Sequence, residues 1–344
     1  MNIFQLPIIY AIFFAFTFSI FMNGMLMRLT RNYKKKNERI EKRLSNRNIS
    51  PYGGIATSFA FFVTTIFLGK AEQDFLTIGI CAVAISIIGL IDDIYNLEWR
   101  AKLVAQTVII IYPLVDLEIF INVESFLGLE MNNYLNLFIS LFWILVIINS
   151  INFIDNMDGL TVIVSGSICL QVALLANYSD IYKVTDVSLL LLATLIGFLF
   201  YNFPPAKLYF GDSGTLFVGY VLGFISIIFD WNPSQEVILL SPLSPALFIF
   251  VVPILDFAVV TTDRIKNKKS PTTGGTDHIS HRLLNLGYSE KKVLVEFLIL
   301  SFTFYALLIG TISSSGLFSY FFAFCYLLFF IFNFLRYRKL DSLA

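Results

Sequence analysis

The chain has 344 residues, of which 57% are hydrophobic and 14% charged, against roughly 45–50% and about 25% in soluble domains. With a mean hydropathy of +0.77, the composition excludes an ordinary soluble enzyme, a disordered chain and a disulfide scaffold, and it predicts an integral membrane protein. Lys plus Arg equals Asp plus Glu at 24 each, so net charge singles out no partner, and nucleic acid is not expected as one.

Taken in chain order, the apolar runs cover 6–27, 52–69, 75–91, 103–115, 136–152, 159–177, 187–203, 213–229, 243–262, 293–311 and 315–335. A span needs about 20 apolar residues, so eleven use roughly 220 and leave short loops around one membrane domain over 1–344. The runs are apolar all round, so length and punctuation define them rather than periodicity. The run 103–115 is short and is expected to stop at Pro113. The first run lacks a basic n-region and is followed by many basic residues, so it reads as a retained span and not a cleaved signal.

Orientation follows from Lys and Arg. With the N-terminus outside (periplasmic), the inner loops hold 22 of the 24 basic residues, and only Lys70 and Lys183 stay outside. Eleven spans also keep Arg336, Arg338 and Lys339 inside. Segment 28–50 is then a basic cytoplasmic loop, and 263–292 a cytoplasmic loop carrying both histidines. The largest outer segment, 116–135, alternates at Ile121-Asn122-Val123-Glu124 and predicts a short interfacial hairpin. Cys81, Cys169 and Cys325 lie in apolar runs without a CxxC or Cys/His pairing and read as packing. The expected fold is an all-α polytopic membrane protein.

A single ionisable group at a span end can be a solvated anchor; the argument here rests on clustering. Asp92 and Asp93 close the third span, Asn149, Asn152, Asp155 and Asp158 close the fifth, and Asp212 precedes the eighth. His278 and His281 share one tetrapeptide after the ninth. The derived topology puts all of them at one face. Clustered carboxylates with few His and no Cys suit Mg²⁺ or Mn²⁺ rather than zinc. With Lys102, Lys207 and Arg282 nearby, they form the equipment of phosphoryl transfer. Gly211 and Gly214 flank Asp212 and allow close approach of a phosphate. Gly159 opens a helix whose N–H groups can receive an anion. Asn149 and Asn152 share a helical face and could equally bond neighbouring helices. Asp256, inside the ninth span, reads as a structural carboxylate paired to a cation.

These segments resemble the polyprenyl-phosphate N-acetylhexosamine-1-phosphate transferases. Gly89-Leu90-Ile91-Asp92-Asp93, with Lys102 and Gln106 following, is similar to the family's Asp-Asp motif. Asn149 to Leu160 resembles its NxxNFxDGxDGL motif, and Phe203 to Thr215 its PAKxFMGDxGS motif. Asp277 to Leu283 resembles its histidine motif, and Pro51-Tyr52-Gly53-Gly54 its early Pro-x-Gly-Gly element. The resemblance runs from about residue 50 to 290. It implies an Mg²⁺-dependent enzyme of the cell membrane that moves a sugar-1-phosphate from a UDP-sugar to a polyprenyl phosphate such as undecaprenyl phosphate, releasing UMP. A homodimer is a further expected partner.

Residue by residue, the resemblance places Asp212 on the metal and diphosphate, with Asp92 and Asp155 completing the metal set. Asp92 and Asp93 are implied on the lipid-phosphate side, either of them able to take a proton. Lys102, Asn149, Asn152, Asp155, Gly159 and Gly211 are implied around the phosphates. Asp158 is implied at the uracil edge and Tyr209 stacked on uracil. His278, His281 and Arg282 are implied on the diphosphate or sugar. Three positions depart from the pattern: Asn156 stands where Gly is usual, Thr215 for Ser, and Ser280 for the middle His. The last favours the WecA-like surface-glycan branch over the peptidoglycan MraY branch. A secondary transporter would instead put charges near the midplane and show matching halves. A CDP-alcohol phosphotransferase would need DGx₂ARx₈Gx₃Dx₃D, which is absent.

Overall fold

The computed structural model describes residues 8–31, 49–67, 73–121, 132–229, 244–270 and 275–340. Among these residues thirteen helices form and no strand. They are α1 Ile8–Leu29, α2 Gly53–Phe67, α3 Gln73–Tyr95, α4 Trp99–Asp116, α5 Asn133–Phe153, α6 Leu160–Tyr178 and α7 Tyr182–Asn202. There follow α8 Gly211–Ile228, α9 Ser244–Ile249, α10 Val251–Lys266, α11 Ile279–Asn285, α12 Glu290–Ser313 and α13 Leu317–Leu340. Eight of them are long and apolar enough to cross a membrane. The three remaining expected spans correspond to α2, α4 and the α9–α10 pair, so the chain is a multi-pass membrane protein. Most of the basic segment 28–50 and residues 122–131 of the expected hairpin lie outside the described residues.

Two spans differ from expectation. The fourth does not stop at Pro113: α4 runs from Trp99 to Asp116, and the Leu117 N–H donates to the Pro113 carbonyl at 3.1 Å. The proline sits one turn from the helix end, where losing one N–H breaks a single ladder bond. The ninth is not one helix. It divides at Phe250, three residues before Pro253. Proline is compatible with the first turn of a helix but not its interior, so α10 starts afresh and reaches Lys266, beyond the expected end at 262.

Lipid tails are as apolar as leucine, so helices in a membrane associate through close packing and internal hydrogen bonds. α8 shows the first. It is the most buried of the spans and packs mainly on α3 and α5, with α2 alongside. A Cβ on Gly219 would lie 2.6 Å from Ile148 Cα of α5. One on Gly89 of α3 would strike the Asp212 carbonyl, and one on Gly54 of α2 would strike the Gly214 backbone. α1 shows the second. Ala11, Ala15, Ser19 and Asn23 form its buried face. Ser19 donates to the Thr194 carbonyl of α7 at 2.7 Å, and Tyr201 of α7 donates back to Ile20 at 3.0 Å. α13 is the least buried of these eight spans and faces outward.

The starts of α2, α4, α6 and α8 meet the ends of α3, α5 and α7 at one end of the bundle. Gly53 and Gly54 N–H groups donate to the Tyr209 and Phe210 carbonyls at 3.0 and 2.9 Å, and Tyr209 N–H donates to Ser50 at 2.9 Å. Two motif-bearing segments, 50–54 and 209–210, are thereby knitted together before any ionisable side chain is considered.

Candidate active site

The centre of this end is an ammonium between two carboxylates. Lys102 Nζ lies 2.9 Å from Asp92 Oδ2 and 2.7 Å from Asp212 Oδ2. Asn152 at the end of α5 donates to Asp212 Oδ1 at 2.9 Å and to Thr215 Oγ1 at 2.7 Å. The side chain of Asp92 is fully buried and that of Asp212 is 24% exposed, so Asp212 is the carboxylate an incoming ligand can reach. The geometry follows from local sequence. Asn96 takes a left-handed φ of 55° after α3, and the Leu97 N–H donates to Asp92 Oδ1 at 2.8 Å. The chain then turns into α4, which carries Lys102 back over Asp92.

Asp93 points the other way. Its two oxygens accept the Asp212 and Ser213 N–H groups at 3.0 and 3.2 Å, an acidic cap on the N-terminus of α8. Of the Asp-Asp pair, Asp92 meets the lysine and Asp93 holds the helix that presents Asp212. Gly211 takes φ +71°, and a Cβ there would strike the Pro51 carbonyl and the Asp93 carboxylate. Gly211→Ala is therefore expected to tilt Asp212 off Lys102, lowering both thermal stability and turnover by about tenfold or more in the latter. A thermal melt and an activity assay on the same preparation check it.

The turn after α5 is clamped to the segment after α7. Asp158 Oδ2 accepts the Ala206 N–H at 2.8 Å. Gly159, at φ 75°, donates its N–H to Asn202 Oδ1 at 3.0 Å, and Asn202 donates to the Leu208 carbonyl at 3.0 Å. The Gly159 N–H expected to receive an anion is therefore already engaged. Asp155 Oδ1 accepts the Thr161 hydroxyl at 3.0 Å. Asn149 donates to the Leu145 carbonyl of its own helix at 2.7 Å. Tyr209, expected to stack on uracil, is 2% exposed and packs with Ile49 and Ala206, so its ring faces offer no platform in this arrangement.

The histidine segment docks on the other side of the same turn. His278 Nδ1 lies 2.8 Å from Asp256 Oδ2 of α10, and the Ile279 N–H donates to Asp256 Oδ1 at 2.8 Å. The intramembrane carboxylate thus both starts α11 and fixes the His278 ring. Phe153 lies between: its ring centroid is 5.6 Å from that of His278, and the Arg264 guanidinium stands 5.7 Å from the Phe153 centroid. His281 is buried with its ring centroid 6.0 Å from that of His278. Arg282, expected on the diphosphate, has another task. It is 2% exposed and donates to the Asp277 carbonyl at 2.9 Å, the Tyr337 carbonyl at 3.0 Å and Asp263 Oδ2 at 2.9 Å. Asp263 also accepts from Arg338 at 2.7 Å. The arginine ties α11 to α10 and α13.

Arg264 grips Asp277 in bidentate fashion at 2.7 and 2.6 Å. Burial acts to raise the Asp277 carboxyl, but hydrogen bonds and charge from Arg264 outweigh it and hold the group below the usual carboxylate range. A depressed folded-state pKa contributes stability above the unfolded value of about 3.9 and loses it as pH falls through the folded value. Asp277→Asn is thus expected to be less stable at neutral pH and to flatten the acid limb of a plot of Tm against pH.

Sequence reasoning passed over Asn202, Thr161 and Asp263. An Asn at the end of an apolar run, two residues before a Pro-Pro pair, is the available signal for Asn202. The charges Asp263 and Arg264 carried none, because their partners lie in distant segments.

A divalent ion fits one part of this site. Among the described residues no group of three His, Cys, Asp or Glu side chains forms a metal cage, and Asp155 is held by Thr161 rather than joined to Asp92 and Asp212. Mg²⁺ does not require such a cage: it binds through one or two carboxylates and completes its shell with water and phosphate. Asp92 and Asp212 flank one lysine and Asp93 sits behind them on the start of α8, so three carboxylates share one ammonium and an excess of negative charge lies beside Asp212, the more exposed of the pair.

The fold and this site define a polytopic membrane protein with a cluster of carboxylates, a lysine and an amide at one end of its bundle. The Glycosyl transferase family 4 model matches residues 75–230. A probable undecaprenyl-phosphate N-acetylglucosaminyl 1-phosphate transferase of Bacillus subtilis is 31% identical over 252 residues, covering 72% of this chain and 69% of the relative. The decaprenyl-phosphate N-acetylglucosaminephosphotransferase of Mycolicibacterium smegmatis is 28% identical over 60% of this chain and 56% of its own. The phospho-N-acetylmuramoyl-pentapeptide-transferase of Campylobacter lari is 28% identical over 84% of this chain and 89% of its own. The chain belongs to the polyprenyl-phosphate N-acetylhexosamine-1-phosphate transferase family.

Proposed function

We propose that the protein transfers an N-acetylhexosamine-1-phosphate from a UDP-sugar to undecaprenyl phosphate at the cytoplasmic face of the cell membrane, the first step of a cell-surface glycan. An oxygen of the lipid phosphate attacks the β-phosphorus of the UDP-sugar. The bond from that phosphorus to the oxygen bridging to the α-phosphate breaks, and UMP leaves. The product is polyprenyl-diphospho-sugar. The observation that carries this reading is the Lys102 bridge between Asp92 and Asp212, with Asn152 completing it, at the end of an apolar bundle. A charged soluble donor and a lipid-anchored acceptor can meet only where polar groups sit at a helix-end boundary.

Asp212, the carboxylate a ligand can reach, would hold Mg²⁺, with buried Asp92 adding its charge from across Lys102; the ion when bound supplies charge neutralisation to the diphosphate oxygens. Lys102 keeps the two carboxylates together and offers N–H donors to phosphate. A phosphate monoester with a second pKa of about 6 is mostly dianionic near neutrality, so the acceptor attacks without a dedicated base, and the engaged oxygens of Asp93 do not count against the reaction. His278, oriented through Nδ1 by Asp256, keeps Nε2 for the donor. The match of the Bacillus and mycobacterial relatives favours N-acetylglucosamine among the sugars. A donor screen tests it: purified protein, undecaprenyl phosphate, Mg²⁺ and a panel of UDP-sugars, scored for UMP release. Release with UDP-N-acetylglucosamine is expected, and silence with every donor would overturn the reading.

A further inference from the structure

The site consists of two halves joined by one short segment. Asn152 reaches into the carboxylate half through Asp212. Phe153 touches His278 and Arg264. Asn156 then reaches the histidine half directly, because Ser280 Oγ donates to Asn156 Oδ1 across 124 positions of sequence. Both partners are buried, Asn156 at 5% and Ser280 at 0% exposure. Asn156 Nδ2 donates to the Phe153 carbonyl at 3.2 Å, which sets the amide with its oxygen toward the serine. Asn156 immediately follows Asp155, and Ser280 immediately precedes His281.

These two residues are also two of the three departures noted in the sequence, and they are partners. Alone, each change is awkward. A glycine at 156 would leave the buried Ser280 hydroxyl without this acceptor, and a buried unsatisfied polar group is costly. A histidine at 280 would meet the Asn156 amide in space now filled by a serine. Together they make one hydrogen bond.

We infer that Asn156 and Ser280 are a matched positioning pair that fixes the spacing between the Asp155–Asp158 turn and the His278–His281 turn. The inference rests on the transferase reading for its kinetic consequence. It assigns neither residue contact with substrate; each acts through its neighbour.

The test uses the full-length purified protein with Asn156→Gly, Ser280→Ala, the combination of these two, Ser280→His, and the combined swap Asn156→Gly with Ser280→His. Steady-state UMP release and Tm are measured for each. Asn156→Gly and Ser280→Ala are each expected to lower kcat by about tenfold with KM for the lipid acceptor unchanged, and together to be no worse than either alone. The combined swap is expected to exceed Ser280→His alone by at least about fivefold, because the space vacated at 156 admits the larger ring. Multiplicative losses, or a swap no better than Ser280→His, would overturn the pair. Should a variant fold but be too unstable to assay for turnover, the Tm values of the swap and its two single changes decide by the same comparison, and a swap that yields folded protein where Ser280→His alone does not supports the pair. Wild-type protein that releases UMP from no donor overturns the transferase reading instead, while the Tm comparison still shows whether 156 and 280 are coupled.

Discussion

Asp212→Asn is expected to lower kcat by roughly 10²–10³-fold while the protein folds and melts as before. The amide keeps the size of the side chain, and the bonds that start α8 come from the Asp212 and Ser213 backbone to Asp93, which the substitution leaves alone. What changes is charge. Asp212 is the exposed member of the pair around Lys102, and Asn152 is aimed at it. With an amide there, the site loses one of three negative charges and one of its two candidate oxygens for a divalent ion. The apparent Mg²⁺ requirement should therefore rise as turnover falls. Unchanged turnover at low Mg²⁺ would remove Asp212 from the metal-and-phosphate site.

The second large effect is on stability. Arg282→Ala is expected to cost about 3 kcal/mol, the low end for breaking a buried ion pair, and to lower Tm by roughly 5 °C. The guanidinium is engaged with two backbone carbonyls and Asp263, on α10, α13 and the approach to α11. Removing it strands the Asp277 and Tyr337 carbonyls, while Asp263 keeps Arg338, which is why the low end applies. The implied contact with diphosphate predicts the opposite signature: an increased KM for the sugar nucleotide in a protein that melts normally. Melting and donor titration of one variant separate the two.

The contrast between these residues shows what a one-dimensional reading can reach. Run length placed a helix or helix pair at each expected span, eight of them long and apolar enough to cross a membrane, because lipid imposes the same requirement on each one. The polar clusters at 92–93, 149–158, 212 and 278–281 point to a site because carboxylates, amides and both histidines gather at span ends that the topology puts at one face. Side-chain direction was not legible. Asp92 and Asp93 are adjacent, yet one faces Lys102 and the other caps α8. Arg282 lies beside His281 but turns to Asp263 and Tyr337, 19 and 55 positions away. The resemblance implies Tyr209 on uracil and the helix start implies an anion at Gly159, whereas the fold uses Tyr209 as packing and the Gly159 N–H as a donor to Asn202. The break at Phe250 depended on where Pro253 fell within its turn, which composition does not encode.

The glycine contacts of α8 bear on how such an enzyme can diversify. Where Gly54 meets Gly214 and Gly89 meets Asp212, main chain rests on main chain. No side chain at those seams can be exchanged to shift the helix by a fraction of an ångström, so the wall presenting Asp212 is effectively fixed hardware. The opposite wall is held by exchangeable groups: Asp256 on His278, Arg264 on Asp277, Ser280 on Asn156. Mutational libraries selected for new sugar preference should accordingly accumulate changes on α10 and α11 and leave α2, α3 and α8 untouched.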